Sequence, residues 1–455
     1  MRVGFVIRIG VFIVAAGVAA ALGDIPVTFT RIVQTGDTIP GTTETYFDLK
    51  RPAASGDKIA WVGSGATVDG VFGRFGGMDR VIARDGTPIP GGTGTFLSGS
   101  FTFSLAKLDG NDVAFRATGA GGQQGIYATF DNGPLFRVVD KTTTIPGTAL
   151  QYNNLMQPYL SNEEIAFSND LFGDRAVTTF YSGGVLSQVW RANVTPLPSP
   201  MSGALTWVSQ AVQSNGSIAM QAFDEDLRQA IITNRNGSVE LVANAYELVP
   251  DSTQHFLQFL DPAIFDDKIA FIAWGDATAD RIRGVYESFD GALHKVADTN
   301  TIAPGGLDPF VDFGRGPSHD GDTVVFVGGS GGGLDGLYVR YQGQLDRIID
   351  NTQMLDGKQL LSVDIDQKSL FASNKVAFLA KFTDTSIGLY VAEFGDPPCP
   401  GDFDGSGGID LSDLAQLLAH FGTTAEPAEG DLTGDGFVDL ADLSGFLAVF
   451  GTSCV

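Results

Sequence analysis

One short apolar strand recurs seven times along this chain at a nearly constant interval. It reads Ile59-Ala60-Trp61, Val113-Ala114-Phe115, Ile165-Ala166-Phe167, Ile218-Ala219-Met220, Ile269-Ala270-Phe271, Val324-Val325-Phe326 and Val376-Ala377-Phe378. The middle residues lie 54, 52, 53, 51, 55 and 52 positions apart. A second strand follows each one, as in Gly70-Val71-Phe72, Gly125-Ile126-Tyr127 and Gly284-Val285-Tyr286. A third strand resembles Phe136-Arg137-Val138-Val139. After it come a turn such as Thr144-Ile145-Pro146-Gly147 and a less regular strand leading into the next unit. Each unit thus holds about four strands, and one such sheet cannot bury both of its faces alone. Neighbouring units must stack, either in line as a solenoid or radially as a β-propeller.

The chain ends decide between the two. The third strand type follows a second strand six times, from Arg80-Val81-Ile82 to Arg347-Ile348-Ile349. The seventh unit stops at Glu393 without one, and the missing copy stands at the other end as Arg31-Ile32-Val33. A strand over 29–33 that completes the last blade would close a ring and protect its edges. An open solenoid has no need of that permutation. The prediction is a mainly β chain, with a seven-bladed propeller over 24–395. The 59 glycines and the low charged content of 18% suit short strands joined by tight turns.

Three residues before each middle position stand Asp57, Asn111, Glu163, Gly216, Asp267, Asp322 and Asn374. Six of the seven are Gly, Asn or Asp, which tolerate positive φ, so the turn is expected there. This spacing resembles a family of secreted bacterial tandem-repeat proteins whose unit reads N-x-x-G-x-x-A-F-x-A. The clearest copy is Asn111-Asp112-Val113-Ala114-Phe115-Arg116-Ala117. The resemblance implies varied C-terminal anchors and no settled activity.

The N-terminus reads as an export signal over 1–23. Arg2 and Arg8 precede an apolar stretch from Ile9 to Leu22, and Ala19-Ala20-Ala21 offer a cleavage site. That stretch is shorter than the roughly 20 residues a spanning helix needs. No later stretch is long or apolar enough, so no transmembrane span is expected after cleavage. The mature protein is expected to be secreted or attached at the cell surface. The net charge of −25 excludes nucleic acid as a partner.

The propeller displays little recognisable chemistry. Its histidines, His255, His294 and His319, are scattered, with no zinc-site spacing. There is no P-loop, and the Gly-rich run from Gly328 to Gly336, with no Lys or helix after it, reads as a hairpin loop. Asp140, Asp298 and Asp350 recur after the third strand. They read as turn residues, or in the alternative as glycosidase carboxylates. Trp61 and Trp190 fall on repeating strands and are expected in the core. Trp207 and Trp274 are candidate binding platforms.

The last sixty residues differ in kind. From Asp396 to Val455 there are eleven acidic residues and no Lys or Arg. Calcium takes six to eight hard oxygens, and a twelve-residue loop supplies them from positions 1, 3, 5, 7, 9 and 12. The first loop, 402–413, offers Asp402, Asp404, Ser406, the Gly408 carbonyl, Asp410 and Asp413. The second begins 29 residues later and offers Asp431, Thr433, Asp435, the Phe437 carbonyl, Asp439 and Asp442. Gly407 and Gly436 occupy the sharp turn at position 6, and Ile409 and Val438 fall at position 8, where paired loops bridge through backbone. Each loop leads into a helix with one apolar face, Leu414, Leu417, Leu418 and Phe421 in the first and Leu443, Phe446, Leu447 and Phe450 in the second. Gly422 and Gly451 end the helices. Pro397, Pro398, Pro400 and Pro427 argue against a helix before either loop.

Loop then helix, twice, with Asp at position 12, resembles dockerin domains. That resemblance implies two bound calcium ions and docking onto a cohesin-like partner, often in polysaccharide-degrading assemblies. Partner contacts in that family fall at loop positions 10 and 11, here Leu411-Ser412 and Leu440-Ala441, where well-studied dockerins carry Ser/Thr pairs. Cys399 and Cys454, the chain's two cysteines, bracket the module, and in a secreted protein they point to a disulfide. The closed loop of about 55 residues would stabilise by roughly 4 kcal/mol. It is similar to the dockerin variant with flanking cysteines.

The function expected from sequence is a secreted propeller that binds a protein or glycan and is attached through a calcium-dependent dockerin-like module over 396–455. The alternatives are a carbohydrate-active enzyme, hydrolase or lyase, in polysaccharide catabolism, and a structural cell-surface component.

Overall fold

The computed structural model describes residues 25–99, 102–171, 173–235, 237–371, 374–395, 400–404, 408–423, 430–433 and 437–452. The expected export signal, Cys399, Ser406, Asp435 and Cys454 lie outside them. The described chain is mainly β, with seven antiparallel sheets set as propeller blades and two short helices. The recurrent strand forms the middle of blades 1 to 7 as Lys58–Ser64, Asp112–Thr118, Glu164–Asn169, Ser217–Phe223, Lys268–Gly275, Thr323–Ser330 and Lys375–Phe382. Its apolar-small-aromatic centre is buried in every blade, because a neighbouring sheet covers each face. A short inner strand pairs on one side. On the other side lie the second strand of the repeat and then the third, outermost one, as in blade 2 with Gln124–Thr129 and Phe136–Asp140.

Blade 7 takes its outer strand from the N-terminus. Val27–Gln34 runs antiparallel to Ile387–Phe394, from Val27 opposite Phe394 to Gln34 opposite Gly388. The strand is longer at both ends than the 29–33 read from sequence. Every outer strand carries a bulge at the same level. The recurring Gly-x-aromatic pattern of the second strand follows from packing. A Cβ on Gly125 would lie 2.8 Å from both the Tyr127 ring and the Val139 carbonyl, and one on Gly284 would lie 2.6 Å from the Ala297 carbonyl. Glycine leaves the space into which the next aromatic ring folds.

In blades 1 to 6 the turn before the middle strand corrects one expectation. Positive φ falls one residue earlier than the sequence pattern implies, at Gly56, Gly110, Asn162, Asn215, Asp266 and Gly321. In blades 3 and 4 the next residue, Glu163 or Gly216, is positive as well. These are two-residue hairpins of the primed kind, in which the first turn residue must tolerate positive φ. Asp57, Asn111, Asp267 and Asp322, one place later, keep negative φ and need no such tolerance.

The same turns tie blade to blade. The N–H of Gly110 donates to Ser55 Oγ at 2.9 Å, Asn162 to Asp109 Oδ2 at 2.6 Å, Asn215 to Ser161 Oγ at 3.3 Å and Asp266 to Ser214 Oγ at 3.0 Å. Each side chain ends one inner strand and accepts from the next blade. The inner strands follow one another around the axis, and Leu370–Phe371 of blade 7 lies beside Ala53–Ser55 of blade 1.

Candidate metal centre

The C-terminal residues pack around their own small core. Ile409, Leu417, Val438 and Phe446 are buried, with Phe403, Leu414, Leu432, Leu443 and Val449 around them. Most of these fall in pairs 29 residues apart, so two similar halves meet face to face. Phe403 stacks on Phe446 at 5.9 Å. Ile409 donates its N–H to the Thr452 carbonyl and accepts from Gly451, while Val438 donates to Thr423 and accepts from Gly422. Each loop is therefore fastened to the chain leaving the opposite helix. Gly401 and Gly430 hold matching places before the loops, both at positive φ. A Cβ on Gly430 would lie 3.1 Å from the Leu417 Cα, and the positive φ favours glycine at both places.

Helices α1 (Leu411–His420) and α2 (Leu440–Val449) start on the loop acids themselves. Asp410 and Asp439 are the N-caps, accepting from Ser412 and Ala441 N–H at 2.7 Å each. Asp413 and Asp442 complete capping boxes and are fully buried. Asp413 Oδ1 accepts from Phe403 N–H at 2.7 Å and Asp404 N–H at 3.1 Å, and Oδ2 from Asp410 N–H at 2.9 Å. Asp442 repeats the pattern, accepting from Thr433 N–H at 2.9 Å, the Thr433 hydroxyl at 3.0 Å and Asp439 N–H at 2.7 Å. Burial by itself would raise both acids. The converging N–H donors more than offset it and hold both carboxyls below the usual carboxylate range.

In the first loop the carboxylates of Asp402, Asp404 and Asp413 offer oxygens within 4.8 Å of one another. In the second, Asp431 is buried beside Thr433 and Asp442. Gly408 and Phe437, whose carbonyls the sequence names as ligands, stand just before the position-8 residues. The donor set is all oxygen, which fits a hard divalent cation. Ser406 and Asp435 belong to the expected ligand set but fall outside the described residues.

The expected single apolar face is only partly covered. Leu417 and Phe446 are buried, yet Leu418 and Leu447 are 52% and 57% exposed, and Phe421 and Phe450 are 40% exposed. Leu411 and Leu440 are each 72% exposed. The small core encloses only part of the apolar width of each helix, so each half leaves a Leu-Leu-Phe stripe in solvent. Ser412 and Ala441 are exposed beside it.

The propeller's candidate residues are otherwise engaged. Asp140 Oδ1 accepts from Thr142 N–H at 2.9 Å, Asp298 Oδ1 from Asn300 N–H at 3.0 Å and Asp350 Oδ1 from Thr352 N–H at 2.9 Å. Each also meets a cation three residues back, Arg137, Lys295 or Arg347. These acids hold turns. Trp61 and Trp190 are core, Trp207 stacks on Phe223 at 4.3 Å, and Arg283 lies 5.0 Å over Trp274. His319 marks a polar seam that sequence reasoning missed. Its Nε2 donates to buried Glu287 across blades 5 and 6 at 2.7 Å, and Arg340 pairs with the same carboxylate.

The fold and the loops together define a closed seven-bladed β-propeller that carries a paired acidic loop-helix unit behind it. The chain belongs to the family of unknown function DUF7453, whose model matches residues 28–396. No curated protein matches it. Among solved structures it is similar to the Pyrococcus horikoshii acylaminoacyl peptidase (12% identity, 76% of this chain and 51% of that one, TM-score 0.44). It is also similar to a chain from a Saccharomyces cerevisiae complex of Dbp5, Nup159 and Gle1 (11% identity, 81% and 96%, TM-score 0.39). A third is the propeller domain of the Trilobed protease from Pyrococcus furiosus (11% identity, 68% and 97%, TM-score 0.32). At these scores none of them bears on what the chain does.

Proposed function

We propose that this is an exported docking protein. Its C-terminal unit is a dockerin-like module that holds two calcium ions and binds a cohesin-like partner, and its propeller is a protein- or glycan-binding head. One observation carries the reading. Three carboxylates, Asp402, Asp404 and Asp413, converge within 4.8 Å in a segment with no Lys or Arg between 396 and 455. Like charges at that spacing repel unless a cation joins them. Asp402, Asp404, Ser406, Gly408, Asp410 and Asp413 would hold the first ion, and Asp431, Thr433, Asp435, Phe437, Asp439 and Asp442 the second. Bound calcium would neutralise the clustered charge and stiffen each loop against the helix it caps. The chain's own residues then set the partner surface. Leu411, Ser412, Leu440 and Ala441 occupy matching exposed places, so the module offers the same apolar stripe twice.

The flanking cysteines suit this module. Gly401 lies against Ile409 and Val449, and Thr452 bonds to Ile409. The chain next to Cys399 and the chain next to Cys454 thus meet on one residue, which supports a disulfide that clasps the ends. No observation favours the carbohydrate-active alternative, since the recurrent propeller acids are bound into turns.

Calorimetric titration of the full chain with calcium tests the reading. Two sites are expected, both abolished in the Asp413→Asn/Asp442→Asn variant. No heat at millimolar calcium would refute it.

A further inference from the structure

In blade 7 the inner strand is reached through 365–369, five residues between the strands ending at Asp364 and beginning at Leu370. The same link is three residues in blades 1 and 4, 50–52 and 209–211. The extra length turns in toward the axis, where Ile365, Asp366 and Ser369 are buried. The link is a tight polar turn. Asp366 N–H donates to the Ser369 hydroxyl at 2.8 Å, and Asp366 Oδ1 accepts from Lys368 N–H at 3.3 Å.

From that turn, contacts reach five other blades. In blade 1, Ala54 N–H donates to the Lys368 carbonyl at 2.8 Å, the Ser369 hydroxyl donates to the Pro52 carbonyl at 3.1 Å, and Arg51 donates to the Ile365 carbonyl at 3.2 Å. Lys107 of blade 2 forms an ion pair with Asp366, and its ammonium lies 4.2 Å from the Tyr159 ring centre of blade 3. The Tyr159 hydroxyl donates to the Gln367 amide oxygen, and the Gln367 amide nitrogen is 3.5 Å from the Pro262 carbonyl of blade 5. Ser318 of blade 6 accepts from Ser369 N–H at 3.1 Å and Leu370 N–H at 2.8 Å.

We propose that 365–369 is an axial plug. It locks blade 7 into the ring from the inside, as Val27–Gln34 does from the outside, and it seals the axis so that ligands meet a closed face rather than a passage. The ion pair is its keystone. Lys107 has no exposed surface and Asp366 has 2%. Burial pulls the Lys107 ammonium down to about 8, against the pull of Asp366 in the other direction. A lone ammonium at that depth would be strongly unfavourable, and so would a lone carboxylate. The pair therefore fits only when plug and blades 2 and 3 are in register.

The test uses three full-length variants. Lys107→Met leaves Asp366 buried and unpaired, and is expected to lower the propeller's melting temperature by about 10 °C. Lys107→Met/Asp366→Leu removes both charges and is expected to regain more than half of that loss. Lys268→Met breaks the exposed Lys268–Asp322 pair and should change little. Hydrogen exchange reads the plug itself. In Lys107→Met, exchange should rise at least tenfold at Ala54 and Leu370, across the blade 7 to blade 1 junction, while Ser217–Phe223 of blade 4 stays protected. A double variant no more stable than the single one would overturn the proposal. So would a single variant as stable as Lys268→Met, or faster exchange confined to blade 2.

Discussion

The propeller and the C-terminal unit have opposite ways of holding together. The propeller spreads its core through seven blades, and polar groups such as Asp140, Asp298 and Asp350 are held in turns while Lys107 pairs with Asp366. Among its described residues the C-terminal unit buries four apolar side chains, and its segment gathers carboxylates with no Lys or Arg to balance them. A domain that small commonly needs a metal or a disulfide to stay folded. The first region is therefore expected to be indifferent to ions and sensitive to ring closure, and the second the reverse.

Removing 27–34 should produce the largest effect. It strips blade 7 of its outer strand and exposes an open sheet edge. The cooperative propeller transition should disappear from calorimetry, while calcium-dependent behaviour of the C-terminal unit persists. Next in size is Phe446→Ala, which deletes a buried ring stacked on Phe403. A loss of about 3–5 kcal/mol is expected, enough to unfold that unit by near-ultraviolet dichroism with the propeller intact. Gly125→Ala sharpens the contrast from the other side. Its Cβ would meet the Val139 carbonyl, so about 1–3 kcal/mol is lost by overpacking, and the propeller should melt a few degrees lower.

Alkaline pH should act on the propeller through its buried tyrosines. Burial raises Tyr127, Tyr152 and Tyr338 to about 12, above an ordinary value of about 10. Each prefers to stay protonated in the folded state. Their contribution is whole below pH 10 and is lost as pH climbs toward 12, which a pH series of melting curves would show. The smallest effect on stability should come from Leu411→Ala/Leu440→Ala. Both residues are 72% exposed, so melting should hardly move, whereas capture by a cohesin-like partner should weaken.

Much of this division was legible in the sequence because both regions repeat. Period and strand count gave the blades, and the displaced copy at Arg31-Ile32-Val33 gave the closing strand's place. The paired acidic loops were legible because they recur 29 residues apart, and Asp410-Asp413 and Asp439-Asp442 start their helices in the same way. Three things were hidden. The positive-φ turn residue lies one place earlier than the recurring Asp or Asn, since those residue types suit either place in a hairpin turn. The exposure of Leu418 and Phe421 was invisible because helical period identifies an apolar face and not how much of it a neighbour covers. The axial plug lies in the least regular stretch of the repeat, and Lys107 sits in a strand next to Leu108 like any edge residue. Only the meeting of Lys107, Tyr159 and Asp366 from three blades gives that lysine its meaning.

The most direct test of the contrast is differential scanning calorimetry of the full chain, in millimolar calcium and again in excess EDTA. Two transitions are expected in calcium. EDTA should lower or abolish the one belonging to the C-terminal unit and leave the propeller's in place. Transitions that are unchanged by EDTA, or that shift together, would contradict the account.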